Sequence, residues 1–167
     1  YLNPHVAKSY VDAFVLRVAD AYFSSTKPVR PWHSHEFESG TDNYLGEPTV
    51  GIPTVWPYSS SGIQTHHNSE DTPDKVDERS LRDIASVNAI YLYFLAAAGE
   101  REAVWLAEVA ATRGYEQILK AAARVIDGAW PELIAYALDR ESQSVQSVTR
   151  IAAVNVAPIL SQLRAFA

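Results

Sequence analysis

The sequence predicts an α/β fold over residues 1–99 followed by an all-helical extension over residues 100–167. Three observations carry this. Residues 1–99 alternate a helical pattern, long polar loops, one short apolar run and a second helical pattern. From Glu100 onward every apolar repeat has helical spacing, and the composition shifts to Ala, Leu, Val and Ile. Gly99 stands between the two regimes as a helix stop.

The first helical pattern begins near Pro4, which suits a first helical turn, with Asn3 as its expected cap. Val11, Phe14, Val15, Val18 and Tyr22 recur at steps of three and four and define one apolar face. Ser24-Ser25-Thr26 closes it, and Pro28 and Pro31 forbid its continuation. Residues 27–48 read as loop. Residues 49–58 read as a short buried strand with Val50, Ile52 and Val55 as its apolar core, shortened or paired on one side near Pro53 and Pro57. Residues 59–76 form a second polar loop. Two polar loops dotted with aromatic residues around one apolar strand are a common setting for a site.

A helix follows from Asp77 or Ser80, either of which can cap it, and Ser80 with Asp83 has capping-box spacing. Leu81, Ile84, Ala85, Asn88, Tyr91, Leu92 and Leu95 are expected on one face. The extension divides into a helix over 100–113, another from Tyr115 to Gly128, a short one opened by Pro131, and one over 142–166 kinked at Pro158. Ala-rich stretches such as Ala121-Ala122-Ala123 and Ala152-Ala153 permit close helix packing. They fit either a cover for the α/β part or a homodimer contact.

Composition narrows the function. The 167 residues carry 14 basic and 20 acidic side chains, a net charge of −6, which argues against nucleic-acid binding through a basic face. Apolar residues make up 47 %, enough for a packed core. No apolar run nears the ~20 residues of a membrane helix, and the start lacks the basic-then-apolar pattern of a signal peptide. Cysteine is absent, which excludes disulfides, thiolate metal sites and a cysteine nucleophile. Methionine is absent too, even at position 1, so the chain reads as trimmed or cut from a longer parent. No phosphate-binding glycine loop, G-x-S-x-G elbow or H-E-x-x-H segment occurs, and Ser59-Ser60-Ser61-Gly62 reads as a flexible turn.

The densest group of metal-competent side chains is His66-His67-Asn68-Ser69-Glu70-Asp71. Imidazole and carboxylate are the usual zinc donors where thiolate is lacking. A ligating imidazole needs its other nitrogen held by an acceptor, and Asp71, four residues beyond His67, can fold back to do so. A solvated pair of histidines in a polar loop is the alternative. His33-Ser34-His35-Glu36 offers a second chelating spacing, H-x-H on an extended segment, with the same alternative.

The stretch from Gly51-Ile52-Pro53-Thr54-Val55 through His66-His67-Asn68-Ser69-Glu70-Asp71-Thr72-Pro73-Asp74-Lys75-Val76-Asp77 to Leu81 resembles the C-terminal part of metallopeptidase family 28, zinc exopeptidases of the bacterial aminopeptidase type. Members carry a Gly-Ile-Pro strand, a loop reading aromatic-His-x-x-x-Asp-Thr-x-Asp-x-Val-Asp, and then a helix. His67 matches the ligand histidine and Asp71-Thr72 the Asp-Thr pair. Gly40-Thr41-Asp42-Asn43-Tyr44 is similar to the Ser-Asp-His segment before the strand, which makes Asp42 and Tyr44 substrate-pocket candidates. The likeness covers about Thr41 to Leu95 and leaves the helices after Gly99 outside.

The resemblance implies a mixed sheet flanked by helices, two zinc ions sharing a bridging carboxylate and a water, a general-base glutamate and a peptide substrate with a free N-terminus. Many relatives are secreted. His67 would be the terminal ligand of one zinc, with Asp71 supporting it. His66 replaces the usual aromatic and stands where an oxyanion donor is found in some members. The family's remaining ligands come from an upstream H-x-D segment, a Glu-Glu pair and further aspartates; residues 1–66 hold no H-x-D and no Glu-Glu, and no acidic segment in the right order precedes the first helix. A catalytic zinc takes about three protein ligands. The expectation is therefore a C-terminal portion of a zinc aminopeptidase, inactive alone and partnered by the rest of the catalytic domain. The other class of reading is a non-catalytic interaction module descended from such an enzyme.

Overall fold

The computed structural model describes residues 1–38, 42–58 and 68–167. Five α-helices dominate them: α1 (Tyr10–Ser25), α2 (Glu78–Ala97), α3 (Glu100–Ile126), α4 (Glu132–Gln146) and α5 (Ala157–Phe166). Short 3₁₀ turns occupy His5–Ala7, Asp42–Gly46, Pro73–Lys75 and Ser147–Arg150.

The expected α/β fold is not what forms: among the described residues there is no strand and no sheet, and the architecture is helical. The segment read as a strand shows why. Val50 lies in a turn closed by its N–H on the Glu47 carbonyl, and Gly51 takes φ +72°, outside strand geometry. Beyond it the chain takes no regular secondary structure, and Pro53 and Pro57 bring no N–H to a ladder. Only Trp56 exchanges a pair of backbone hydrogen bonds, with Tyr1, at 2.9 and 3.2 Å. Leu2 N–H donates to the His35 carbonyl at 3.0 Å. Three pieces of chain thus lie side by side without a repeating ladder, and Val50 and Ile52 remain exposed instead of forming a core.

The N-terminus also departs from expectation. A 3₁₀ turn follows Pro4, Lys8 is extended, and α1 starts at Tyr10 after Ser9. Tyr10 N–H is satisfied at 3.0 Å by the Ser147 hydroxyl, 137 residues away. Asn3 caps nothing. It is fully buried, its N–H and side-chain amide both donate to Asp12 Oδ1, and its own Oδ1 accepts Thr54 N–H at 2.8 Å.

The centre of the molecule is α3. Its 27 residues span about 40 Å. Ala103, Leu106, Ala107, Ala110, Ala111, Gly114, Ile118 and Ala121 are buried, a stripe of mostly small residues that lets neighbours approach closely. Helix α1 packs on it through Phe14 and Val18, and α4 and α5 through Ala137, Val145 and Leu163. Phe14 sits in an aromatic cluster with Tyr91, Phe94 and Trp105, at centroid distances of 5.3, 4.7 and 6.1 Å.

Gly114 does not divide α3 into two helices as its composition suggests. A Cβ there would lie 3.2 Å from Glu141 Cβ and 3.2 Å from Leu163 Cδ1, so the glycine serves helix contact rather than helix termination. Pro158 likewise does not kink a long helix. The chain leaves helix after Arg150, and Pro158 occupies the first turn of α5, where its missing N–H costs nothing.

Candidate functional site

The motif loop enters α2 through a series of local side-chain contacts. Asn68 Oδ1 accepts Glu70 N–H at 2.8 Å, and Asn68 O accepts Asp71 N–H at 3.2 Å, so the loop turns immediately after the histidine pair. The Thr72 hydroxyl donates to Asp74 Oδ1, and Lys75 Nζ lies 3.0 Å from the other oxygen of Asp74. These contacts, the Thr72 hydroxyl first, hold the Asp74 carboxyl below its ordinary pKa. Asp77 is the N-cap of α2: Oδ2 accepts the Ser80 hydroxyl and, at 2.9 Å, the Ser80 N–H. Hydrogen bonding from Ser80, the hydroxyl first, lowers the Asp77 pKa as well.

His66 and His67 lie outside the described residues. Asp71, expected to support His67, is exposed on the loop. Asp42 opens the 3₁₀ turn Asp42–Gly46, and Tyr44 is exposed on it. That turn folds back on the Gly-Ile-Pro segment: Ile52 N–H donates to Leu45 O at 3.1 Å. A Cβ on Gly46 would stand 3.4 Å from Phe37 and 3.8 Å from Thr54. The segment carrying Asp42 and Tyr44 and the segment carrying Gly51-Ile52-Pro53 are thus neighbours. Among the described residues, no group of three or more His, Asp or Glu side chains converges as a metal site would require.

Sequence reasoning missed two charged clusters. In the first, Arg30 reaches from the loop after α1 to Asp83 Oδ2 at 3.2 Å and the Ser80 hydroxyl at 2.9 Å, while Tyr22 OH donates to Asp83 Oδ1 at 2.9 Å. Asp83 is therefore no capping-box partner; it is buried and clamps α2 to α1. In the second, Asp12 is buried with Oδ2 3.8 Å from Lys8 Nζ, and Arg140 pairs with Glu141 at 2.9 Å while donating to His5 Nδ1. His5 Nε2 in turn meets Glu36 at 3.1 Å. The available signal was Asp12 standing between Val11 and Phe14 on an apolar face.

An apolar groove of about 410 Å³ runs between α1, α2 and the start of α3, lined by Phe14, Val18, Ile90, Phe94 and Trp105 with Arg17 at its edge. None of its lining comes from residues 42–77. The outward side of α2 is apolar as well. Leu81, Ala85, Ala89, Leu92 and Ala96 follow helical spacing and all are exposed, Leu81 at 60 % and Leu92 at 61 %, with Tyr93 beside them at 79 %. The single face expected for α2 is therefore two. Val87, Tyr91 and Leu95 turn toward the core, while Leu81, Ala85 and Leu92 turn away from it.

Comparison with protein-family models, with curated proteins and with solved structures finds no match to this chain.

Proposed function

We propose that this chain is the C-terminal portion of a zinc-dependent exopeptidase of the aminopeptidase type, with His67 as a terminal zinc ligand. One observation besides the motif supports the reading: α2, which the motif loop leads into, is apolar on two sides and covered on one. A helix apolar on both faces is normally buried on both. In this proposal the second face, Leu81-Ala85-Ala89-Leu92, packs against the rest of the catalytic domain, and so does the unladdered segment around Trp56. A homodimer contact of the helical extension would fall on the alanine stretches, of which Ala123 and Ala153 are exposed while Ala121 is buried.

The donor set of these residues alone does not fit a zinc cage. It offers a single motif imidazole and no converging carboxylates among the described residues. The described part of the motif is ordered by its own contacts: the Asn68 turn and the Asp77 cap hold the two ends of the Asp71-Thr72-Pro73-Asp74 loop.

The test is hydrolysis of aminoacyl p-nitroanilides by the protein as encoded in full, with zinc. His67→Ala should lower the rate by more than the ~10–100-fold that loss of a ligand's supporting partner costs, and acetylation of the substrate amine should abolish turnover. Unchanged turnover in His67→Ala refutes the proposal. The other reading is a non-catalytic interaction module descended from such an enzyme, for which the full protein would show neither turnover nor bound zinc.

A further inference from the structure

The turn His5–Ala7 is fastened to the body of the molecule through a contact that one proton can break. No residue of the turn is buried, yet both of its flanks are fixed. On one side Asn3 donates to Asp12 Oδ1 through its N–H at 2.8 Å and its side-chain amide at 2.9 Å. On the other, Tyr10 N–H donates to the Ser147 hydroxyl at 3.0 Å. Between these anchors, among the described residues, the one hydrogen bond from the turn to α4 is that of Arg140 with His5.

Arginine stays protonated in proteins, so its Nη1 can only donate. His5 Nδ1 must therefore keep its lone pair, which places the ring proton on Nε2, facing Glu36 Oε2 at 3.1 Å. A second proton can enter only at Nδ1, where it points at the guanidinium. The neighbouring charges do not relieve this. Lys8 Nζ adds a further cation, 3.8 Å from Asp12 and 3.9 Å from Glu36. Glu141 is already paired with Arg140 at 2.9 Å. Arg140 is enclosed by that pair and by the Tyr136 ring, 5.7 Å from its guanidinium carbon. The His5 side chain is 48 % exposed, so it is the partner free to move.

We propose that His5 is a pH-sensitive latch: neutral, it fastens the turn His5–Ala7 to α4, and protonated, it leaves Arg140 with Glu36 as its companion, so that the turn lifts between its two anchors while the helices stay folded. The lifted turn takes up a proton that the closed turn does not. The ratio of open to closed therefore rises as pH falls below the ordinary imidazole value near 6.5, by up to about tenfold per pH unit. Burial first, then Lys8, makes protonation harder in the closed form, and Glu36 opposes them. The latch uses none of the motif residues, so its fate and that of the peptidase reading are separable.

The chain lacks cysteine, so nitroxide labels can be placed on Val6→Cys, on the turn, and Glu132→Cys, at the start of α4. Their separation is read by double electron–electron resonance at pH 8 and pH 5, with far-ultraviolet circular dichroism alongside. The expected result is one short distance at pH 8, a longer one gaining population at pH 5, and unchanged helical signal. His5→Gln keeps an oxygen for Arg140 and an amide for Glu36 but does not titrate, so it should hold the short distance at both pH values. That variant also separates His5 from His33 and His35, which bond to each other. Glu36→Gln removes the companion of the protonated ring and should move the transition to lower pH. The same distance at pH 8 and pH 5, an equal change in His5→Gln, or loss of helical signal together with the change overturns the proposal.

Discussion

The Asp77 carboxylate accepts the Ser80 backbone N–H at 2.9 Å and so starts α2 at the last residue of the Asp-Thr-Pro-Asp-Lys-Val-Asp run. The motif and the helix cap are the same residue. Asp77 is held below its ordinary pKa, so its contribution to stability is present above the unfolded carboxylate range near 3.9 and is lost as pH falls through the folded value. Asp77→Ala should fray the first turn of α2, seen as faster amide hydrogen exchange at Ser80 and Leu81. It should also flatten the acid limb of a stability–pH curve.

His5 gives a second, separate pH window. Burial, the dominant cause, and the nearby Lys8 depress its pKa, and Glu36 opposes them. Geometry agrees: Arg140 donates to Nδ1, which requires an unprotonated nitrogen there. Because the folded pKa lies below the unfolded value near 6.5, stability is full above about pH 6.5 and declines as pH falls through the folded value. Denaturant midpoints between pH 8 and pH 5 should show this decline, and His5→Gln should reduce it.

Packing at the α3–α4–α5 junction leaves no spare volume. Leu163 is fully buried against Gly114, so Leu163→Ala should cost about 2–5 kcal/mol. Gly114→Leu forces a side chain into the same space and should cost about 1–3 kcal/mol, despite leucine's better helix propensity. Urea unfolding of both variants checks the two signs together.

Breaking the buried charge pair on α4 should cost more than removing an exposed hydrogen-bonded carboxylate. Glu141→Ala leaves the Arg140 guanidinium, largely enclosed, without its 2.9 Å partner, an expected loss of about 3–5 kcal/mol. Replacing the exposed Asp139, which accepts from Gln143, should change the unfolding midpoint little.

How far these features could be read in the sequence depended on whether the signal was local. The helical character of the chain after Glu100 was legible because its apolar spacing is regular, and so were Asp77 as cap and Gly99 as the stop between α2 and α3. Gly114 and Pro158 were misread because a glycine or proline signals the same break whether or not a partner helix fills the gap. The strand was misread because an apolar run specifies burial, not the neighbour that must supply a ladder; at Val50–Val55 only Trp56, just beyond, finds one. Of the candidate site, motif spacing gave only the order of the segments; that Leu45 and Ile52 meet through a backbone hydrogen bond is a contact the spacing does not encode. The Arg30–Asp83 clamp and the Asp12 cluster could not, since their partners lie 53 and 9 residues apart with no pattern between them.

The most direct measurement is the zinc content of the protein as encoded in full, determined by mass spectrometry of the metal after exhaustive dialysis, in the parent and in His67→Ala. Two zinc ions per chain are expected in the unsubstituted protein, with zinc and peptidase turnover lost together in the variant. Zinc absent from the parent, or retained unchanged when the imidazole of His67 is removed, would contradict it.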